Sequence, residues 1–355
     1  MLAAMGGDTS RSGAGPRLLL AGAIVAAGLA GCSAQAGGAP PPARPSVRPA
    51  AGPHVSSVPT LQPAAQPSQS APGQSAPDQA VPAFLEVASA PRRVAARGAA
   101  LADLANRQLL WSRGLDTELP MGSITKVMTA LIVVESGDLS RQIRIPRSVL
   151  NYVAKYQAES AGLHPGDILT AQELLEAMLL PSGCDAAYVL ALTYGPGMPG
   201  FLAKMNAMAV ELGMTHTHFT SPDGLPYPTE YSTYSTPRDL VTLGMAAMQS
   251  PVLRAIVGQS FYHLKKGRHH HSYWWDNTNG LIGNYAGADG IKTGYTDAAR
   301  HCLLFLATRA GRTLIGVVLG SPVTGPDAGA IAAARLLNWG FSLKPQSSGQ
   351  AADTG

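Results

Sequence analysis

Apolar and polar positions divide the chain into stretches of different texture. Leu18 to Ala30 is a nearly unbroken apolar run preceded by Arg11 and Arg17, the size of a signal-peptide core and too short to cross a bilayer. From Ser33 to Pro82 the residues are Pro, Ala, Gln, Ser and Gly, with scarcely a large apolar side chain. Such a stretch cannot bury enough surface to offset its ordering entropy, so it is predicted to stay unfolded, held partly extended by its prolines. Between about Val94 and Pro345 the pattern turns globular, and from Gln346 it reads as a disordered tail.

Within the globular stretch, Ala99 to Trp111 alternates like a strand pair with a turn near Asn106-Arg107. Ser123 to Ser136 is apolar nearly all round and ends at Gly137, the pattern of a buried central helix. Further helices are predicted over Ala171 to Leu180, Asp185 to Tyr194 and Gly200 to Leu212. His301 to Thr308 and Thr313 to Leu319 read as apolar strands joined through Ala310-Gly311-Arg312. Pro326 to Trp339 reads as a closing Ala-rich helix. Strands, then helices, then strands and a last helix imply an α+β fold, with an antiparallel sheet built from both chain ends and a helical region inserted between.

Composition narrows the class. The chain has 355 residues with only 14% charged, against about a quarter in an average soluble domain. A formal charge of +4 is weak for this length and points to no nucleic-acid partner. Three cysteines cannot make a disulfide scaffold. A small stapled fold, a coiled coil and a polytopic membrane protein are excluded. Cys32 has another use, because Leu29-Ala30-Gly31-Cys32 resembles a bacterial lipobox, whose cysteine is acylated and becomes the mature N-terminus. The alternative is ordinary signal cleavage after Ala34-Gln35-Ala36. The expected organisation is a lipoprotein signal over 1–31, a lipid-anchored tether over 32–93, a folded domain over 94–345 and a tail over 346–355. Such a chain would sit outside the cytoplasm on the outer face of the cell membrane, or be secreted, as a monomer.

Three motifs carry the candidate chemistry. In Gly122-Ser123-Ile124-Thr125-Lys126, residues three apart share a helix face, so the Lys126 amine can reach the Ser123 hydroxyl. Serine needs a base to become a nucleophile, and lysine serves as one only when burial or a second cation lowers its pKa. A helix N-terminus also offers N–H groups to a developing oxyanion. Alone, Ser-x-x-Lys recurs by chance, and an N-cap serine beside a solvated lysine is the plainer alternative. Pro181-Ser182-Gly183-Cys184-Asp185 then lies between two predicted helices, and Asp289-Gly290-Ile291-Lys292-Thr293-Gly294-Tyr295 precedes the strand hairpin at a sheet edge. Lys292 would be the second cation and Thr293 a hydroxyl for a substrate carboxylate. Three motifs in order are a strong signal where each singly is weak.

Ser-x-x-Lys, a Ser-Gly-x middle motif and Lys-Thr-Gly together resemble the penicillin-recognising serine DD-peptidases, specifically the low-molecular-mass D-alanyl-D-alanine carboxypeptidase family, peptidase family S11. The likeness runs from about Ala99 to Phe341. It includes Thr217 to Leu225, Ser235 to Leu240, Asn277-Thr278-Asn279 and Val317-Val318-Leu319-Gly320. The resemblance implies a β-lactamase/transpeptidase-like fold, a five-stranded antiparallel sheet flanked by helices with a helical region on one side of a cleft. It implies that Ser123 attacks the carbonyl between the two D-alanines of a peptidoglycan stem peptide, Lys126 takes its proton and Ser182 relays a proton to the leaving D-alanine. Cys184, Lys292, Thr293, Gly294, Tyr295 and Thr296 would bind substrate, with Thr293 and Thr296 as candidates to hold its terminal carboxylate. The N–H groups of Ser123 and Tyr295 would form the oxyanion hole. β-Lactam antibiotics would acylate Ser123, and neither metal nor other cofactor is needed.

Two departures from the family pattern matter. Cys184 stands where asparagine is usual, and a thiol is a poorer donor and acceptor; Ser-Gly-Cys occurs in a minority of the family. Cys184 as the nucleophile, or bonded to Cys302, are the alternatives. The arginine that some relatives place after the last strand is also absent from Ser321 to Ala334, leaving Arg300 and Arg309 as substitutes or as solvated strand-end charges. No Glu-x-x-Leu-Asn segment follows the middle motif, which disfavours the competing β-lactamase reading. A non-catalytic wall sensor is the other alternative, supported only by the two departures. His269-His270-His271 reads as a solvated loop, since neighbouring strand residues point to opposite faces. Trp274 and Trp275 read as core or rim packing beside the cleft.

Overall fold

The computed structural model describes residues 90–344 apart from 323, 324 and 326. The expected signal, most of the tether, Cys32 and the tail lie outside the described residues. In chain order the elements are β1 (Gly98–Asp103), β2 (Gln108–Arg113), β3 (Leu119–Pro120), a 3-10 turn (Gly122–Thr125), α1 (Lys126–Glu135), β4 (Gln142–Arg144), α2 (Ser148–Tyr156), β5 (Ile168–Thr170), α3 (Ala171–Leu179), α4 (Cys184–Tyr194) and α5 (Gly197–Glu211). There follow β6 (Tyr234–Ser235), α6 (Pro237–Ala247), α7 (Pro251–Val257), β7 (Phe261–Leu264), β8 (Tyr273–Asp276), β9 (Ala288–Gly294), β10 (His301–Arg309), β11 (Arg312–Ser321) and α8 (Ala328–Ser342).

A five-stranded antiparallel sheet in the order β2-β1-β11-β10-β9 joins the two chain ends, as β1 pairs along β11 from Gly98↔Leu319 to Asp103↔Leu314. The three central strands β1, β11 and β10 read as nearly continuous apolar runs because both their faces are buried. Ala100, Ala102, Leu304, Leu306, Ile315 and Val317 face the helical region. Ala99, Leu101, Leu303, Phe305, Leu314 and Val318 face α8. The β10–β11 connection is a tight turn on Ala310 and Gly311, both at positive φ (48° and 77°), a conformation that fits the strand twist.

The helix starts follow local chemistry. Thr170 and Glu173 form a reciprocal capping box on α3, and Thr236 caps α6 ahead of Pro237. The Ser123 segment departs from the expected single helix, since Gly122–Thr125 is a 3-10 turn and the α-helix begins at Lys126. The pattern does not predict α2, α6 and α7, of which α7 is only seven residues long. Contacts of the folded domain include residues before Val94, since Pro91 is buried and the Arg93 carbonyl accepts from Arg335 Nη1 at 2.6 Å.

Candidate active site

The 3-10 turn, the loop before α4 and the edge strand β9 meet where Gly122 and Gly294 permit it. A Cβ on Gly294 would lie 2.3 Å from the Met121 carbonyl, and one on Gly122 would lie 2.8 Å from the Tyr295 nitrogen. These contacts bring the backbone of Ser123 and of Tyr295 alongside each other, where two N–H groups can serve one oxyanion.

Lys126 is fully buried and its Nζ donates to Ser123 Oγ at 2.8 Å, to the Asp223 carbonyl at 2.9 Å and to Cys184 Sγ at 3.3 Å. The amine therefore sits against the hydroxyl it would deprotonate, held there by two further contacts. Lys292 is also buried, donating to Thr293 O and Oγ1 at 3.2 Å each. Burial first, and the nearby Lys126 charge second, push its pKa well below the ordinary lysine value. Among the described residues neither lysine has a carboxylate in ion-pair range.

Ser182 stands at φ 68° and is 7% exposed, and none of the hydrogen bonds among the described residues engages its hydroxyl. Cys184 begins α4, buried, with its N–H donated to Glu159 O at 2.8 Å. Burial pushes its thiol up to about 12 despite the opposing Lys126 charge, so it is held as a thiol, an unsuitable state for a nucleophile. Cys302 is free and buried elsewhere, donating to Ala299 O at 3.3 Å, so the two cysteines form no disulfide.

Thr293 Oγ1 shares a 2.7 Å hydrogen bond with Thr278, whose N–H donates to Leu180 O. The Thr296 hydroxyl accepts from Ala299 N at 3.0 Å in the β9–β10 turn, which leaves its own O–H to donate. Tyr295 is 53% exposed on the rim, its ring against His301. Arg309 lies at the opposite end of β10, donating to Ala286 O at 2.9 Å and covering the Tyr285 ring. Nine strand residues separate the two ends, roughly 30 Å, which removes Arg309 from the cleft. Arg300 is exposed in the turn beside Tyr295, and Arg97 joins it by donating to Ala298 O at 3.1 Å.

Several participants had no motif to announce them. Asp223 supplies the carbonyl that holds Lys126, while its carboxylate accepts from Tyr152 at 2.7 Å. Asp185 accepts from Ser160 Oγ, Ala161 N, Leu163 N and Ala186 N, which clamps the 160–163 loop onto α4. The adjacency of Asp223 to Gly224 in a resembling segment, and of Asp185 to Cys184, was the available signal. His269 to His271 occupy the β7–β8 connection, where His271 contacts Asp167, and no group of three or more metal-ligating side chains occurs among the described residues. A cavity of about 790 Å³ between β1–β2 and the α5–α6 region contains none of the three motifs.

Known proteins resemble this chain in sequence and fold. The family model described as D-alanyl-D-alanine carboxypeptidase, Peptidase_S11, matches residues 85–323. A D-alanyl-D-alanine carboxypeptidase of Streptomyces sp. strain K15 is 39% identical over 246 residues, covering 66% of this chain and 83% of the relative. D-alanyl-D-alanine carboxypeptidase DacB2 of Mycobacterium tuberculosis is 39% identical over 253 residues, 70% of this chain and 83% of the relative. The crystal structure of the Streptomyces K15 DD-transpeptidase superposes with a TM-score of 0.68 at 37% identity, covering 72% of this chain and 100% of that one.

Proposed function

The chain belongs to the D-alanyl-D-alanine carboxypeptidase family, peptidase S11, and on that premise we propose how its cleft works. It is a serine D-Ala-D-Ala carboxypeptidase acting on peptidoglycan stem peptides. The observation that carries the mechanism is the buried Lys126 amine 2.8 Å from Ser123 Oγ. With Lys126 unprotonated, Ser123 Oγ attacks the carbonyl carbon of the D-Ala-D-Ala bond as its proton passes to Nζ. The N–H groups of Ser123 and Tyr295 hold the oxyanion. The C–N bond then breaks, and the departing D-alanine nitrogen takes the proton from Lys126, relayed by the uncommitted Ser182 hydroxyl. An ester on Ser123 remains. Water cleaves it to regenerate the enzyme, or an amine of a second stem peptide takes the acyl group. Thr293, Lys292 and Gly294 line the side where the terminal carboxylate would lie, with the anchored Arg97 and the exposed Arg300 as nearby cations. A β-lactam meets the same nucleophile, but its leaving nitrogen stays tethered, so the adduct persists.

The test is intact-protein mass spectrometry after incubation with benzylpenicillin, beside Ser123→Ala, together with D-alanine release from a pentapeptide. A one-to-one adduct in the wild type alone, with D-alanine released, is expected. No adduct, with penicillin left intact, overturns the reading.

The N-terminal features support a lipoprotein, with the 1–31 signal removed, Cys32 acylated and the Pro-rich segment holding a monomeric domain off the outer face of the membrane. One acyl chain binds a bilayer only marginally, so several are needed. Cys32→Ala should move the protein from the membrane to the soluble fraction; unchanged membrane retention counts against lipidation.

A further inference from the structure

The β7–β8 hairpin has two unlike faces. Tyr262, Leu264, Tyr273 and Trp275 point inward, and Trp275 Nε1 donates to Ala161 O at 2.8 Å, so this face braces the loop beside α4. On the outer face Phe261 is 48% and Trp274 is 55% exposed, their rings stacked 4.4 Å apart at 10°. Trp274 Nε1 donates to Asp276 Oδ1 at 2.9 Å, which fixes the indole flat. Two stacked aromatic rings left half in water are an apolar patch of the kind that marks an interaction surface.

The shelf is continuous with the cleft. Trp274, Asp276 and Thr278 are exposed and alternate with the buried Trp275, the half-buried Asn277 and the buried Asn279, the period of one strand face. That line ends on Thr278 Oγ1, bonded to Thr293 Oγ1. At about 3.3 Å per residue, Trp274 lies roughly 13 Å along the line from Thr278. At the other end of the hairpin, a groove of about 320 Å³ is lined by Arg144, Lys266, Arg268 and His269. Its one carboxylate, Asp167, is occupied by His271 and Tyr273. Neither Arg144, Lys266 nor Arg268 has an ion pair among the described residues.

We propose that this outer face docks the glycan strand that carries the stem peptide, with sugar rings on Phe261 and Trp274 and neighbouring stem carboxylates at the cationic tip. The inference rests on the DD-peptidase reading of the cleft. A pyranose ring offers a flat C–H face rimmed by hydroxyls, which suits a fixed aromatic shelf flanked by the polar groups of His263 and Asp276. A bilayer is the poorer partner, because the projecting residues 265–272 are charged or polar and the aromatic rings sit back toward the cleft.

Co-sedimentation with insoluble glycan stripped of its peptides tests the shelf without requiring catalysis. Wild-type protein should bind, penicillin-acylated protein should bind equally, and Trp274→Ala with Phe261→Ala should weaken binding about tenfold. Trp274→Phe should restore most of it. In D-alanine release, the wild type should prefer glycan-linked stems over the free pentapeptide, and the double variant should lose that preference. Absence of glycan binding, equal binding by the double variant, or binding to vesicles rich in anionic lipid instead of glycan overturns the proposal. Failure of the catalytic reading would appear separately, as a missing penicillin adduct.

Discussion

The two faces of the five-stranded sheet are made by the same alternating strands, yet they enclose different chemistry. Under α8, Leu101, Leu303, Phe305, Leu314 and Val318 pack on Leu336 and Leu337 in an apolar layer, with the Asp103–Arg312 ion pair at its edge bound to the Gly340 and Leu343 carbonyls. The helical side also has a large apolar core, but it buries Lys126, Glu176, Ser182, Asp185, Asp223 and Lys292. Some of these polar groups are fully partnered and act as clamps, Asp185 with its four donors being the clearest. The two lysines are the opposite case, buried amines without a carboxylate. Desolvation holds the Lys292 amine well below the ordinary lysine pKa, while Lys126 is set against Ser123 by its contacts to Asp223 and Cys184. One face stores stability, while the other spends some of it on a reactive arrangement.

Substitutions on the two sides should therefore separate activity from stability. Lys126→Ala should slow acylation by benzylpenicillin by about 10³-fold or more, while costing less stability than an apolar core truncation, because the lost side chain ends in a polar group whose burial is itself unfavourable. Phe305→Ala on the α8 side should cost about 3–5 kcal/mol and leave the acylation rate of the folded protein within about twofold. Denaturant unfolding and adduct kinetics on both variants check the pair. Comparable losses of both properties in both variants would erase the distinction between the faces.

Glu176 sharpens the comparison, because it is a buried polar group outside the reactive cluster. Its carboxylate accepts from Gln259 Nε2 at 3.1 Å on each oxygen, and burial, opposed by that hydrogen bond, lifts its pKa to about 7. A carboxyl whose folded pKa is raised binds its proton more tightly in the native state. Its contribution to stability is then greatest near and below the unfolded value of 4.5 and is lost as pH rises through about 7. Glu176→Gln should flatten that slope and raise stability at pH 8 by on the order of 1 kcal/mol. Unfolding free energies from pH 4.5 to 8 measure it, and parallel curves for the two proteins would refute the assignment.

Much of this was legible in the chain because the signals were local or ordered. The apolar runs of β10 and β11, the turn at Ala310-Gly311 and the three motifs each announce themselves within about ten residues. Contacts made by backbone or across long separations do not. Nothing local says that the Asp223 carbonyl will hold Lys126, 97 residues away, or that Thr278 will bond Thr293. Thr296 is legible as a hydroxyl near the motif but not as one that also accepts from the Ala299 N–H of its own turn. Arg97 and Arg309 differ in the same way, since only the direction of the strands decides which arginine reaches the cleft end.

The smallest expected effect concerns the two cysteines. Cys184 and Cys302 are 3% and 2% exposed, and burial pushes each thiol up to about 12. By burial and acidity they are the same residue; their neighbours distinguish them. Cys302 donates to Ala299 O and accepts from Gly320 N, all within the sheet end, whereas Cys184 lies 3.3 Å from the Lys126 amine. Neither should be alkylated by iodoacetamide at pH 8 in the native protein, and both should react once it is unfolded. Cys184→Ala removes one weak contact to Lys126 and leaves those from Ser123 and Asp223, so acylation should slow only about two- to fivefold. Cys302→Ala should leave the acylation rate unchanged. A Cys184→Ala loss as large as that of Lys126→Ala would mean that the thiol takes part in the proton transfer itself.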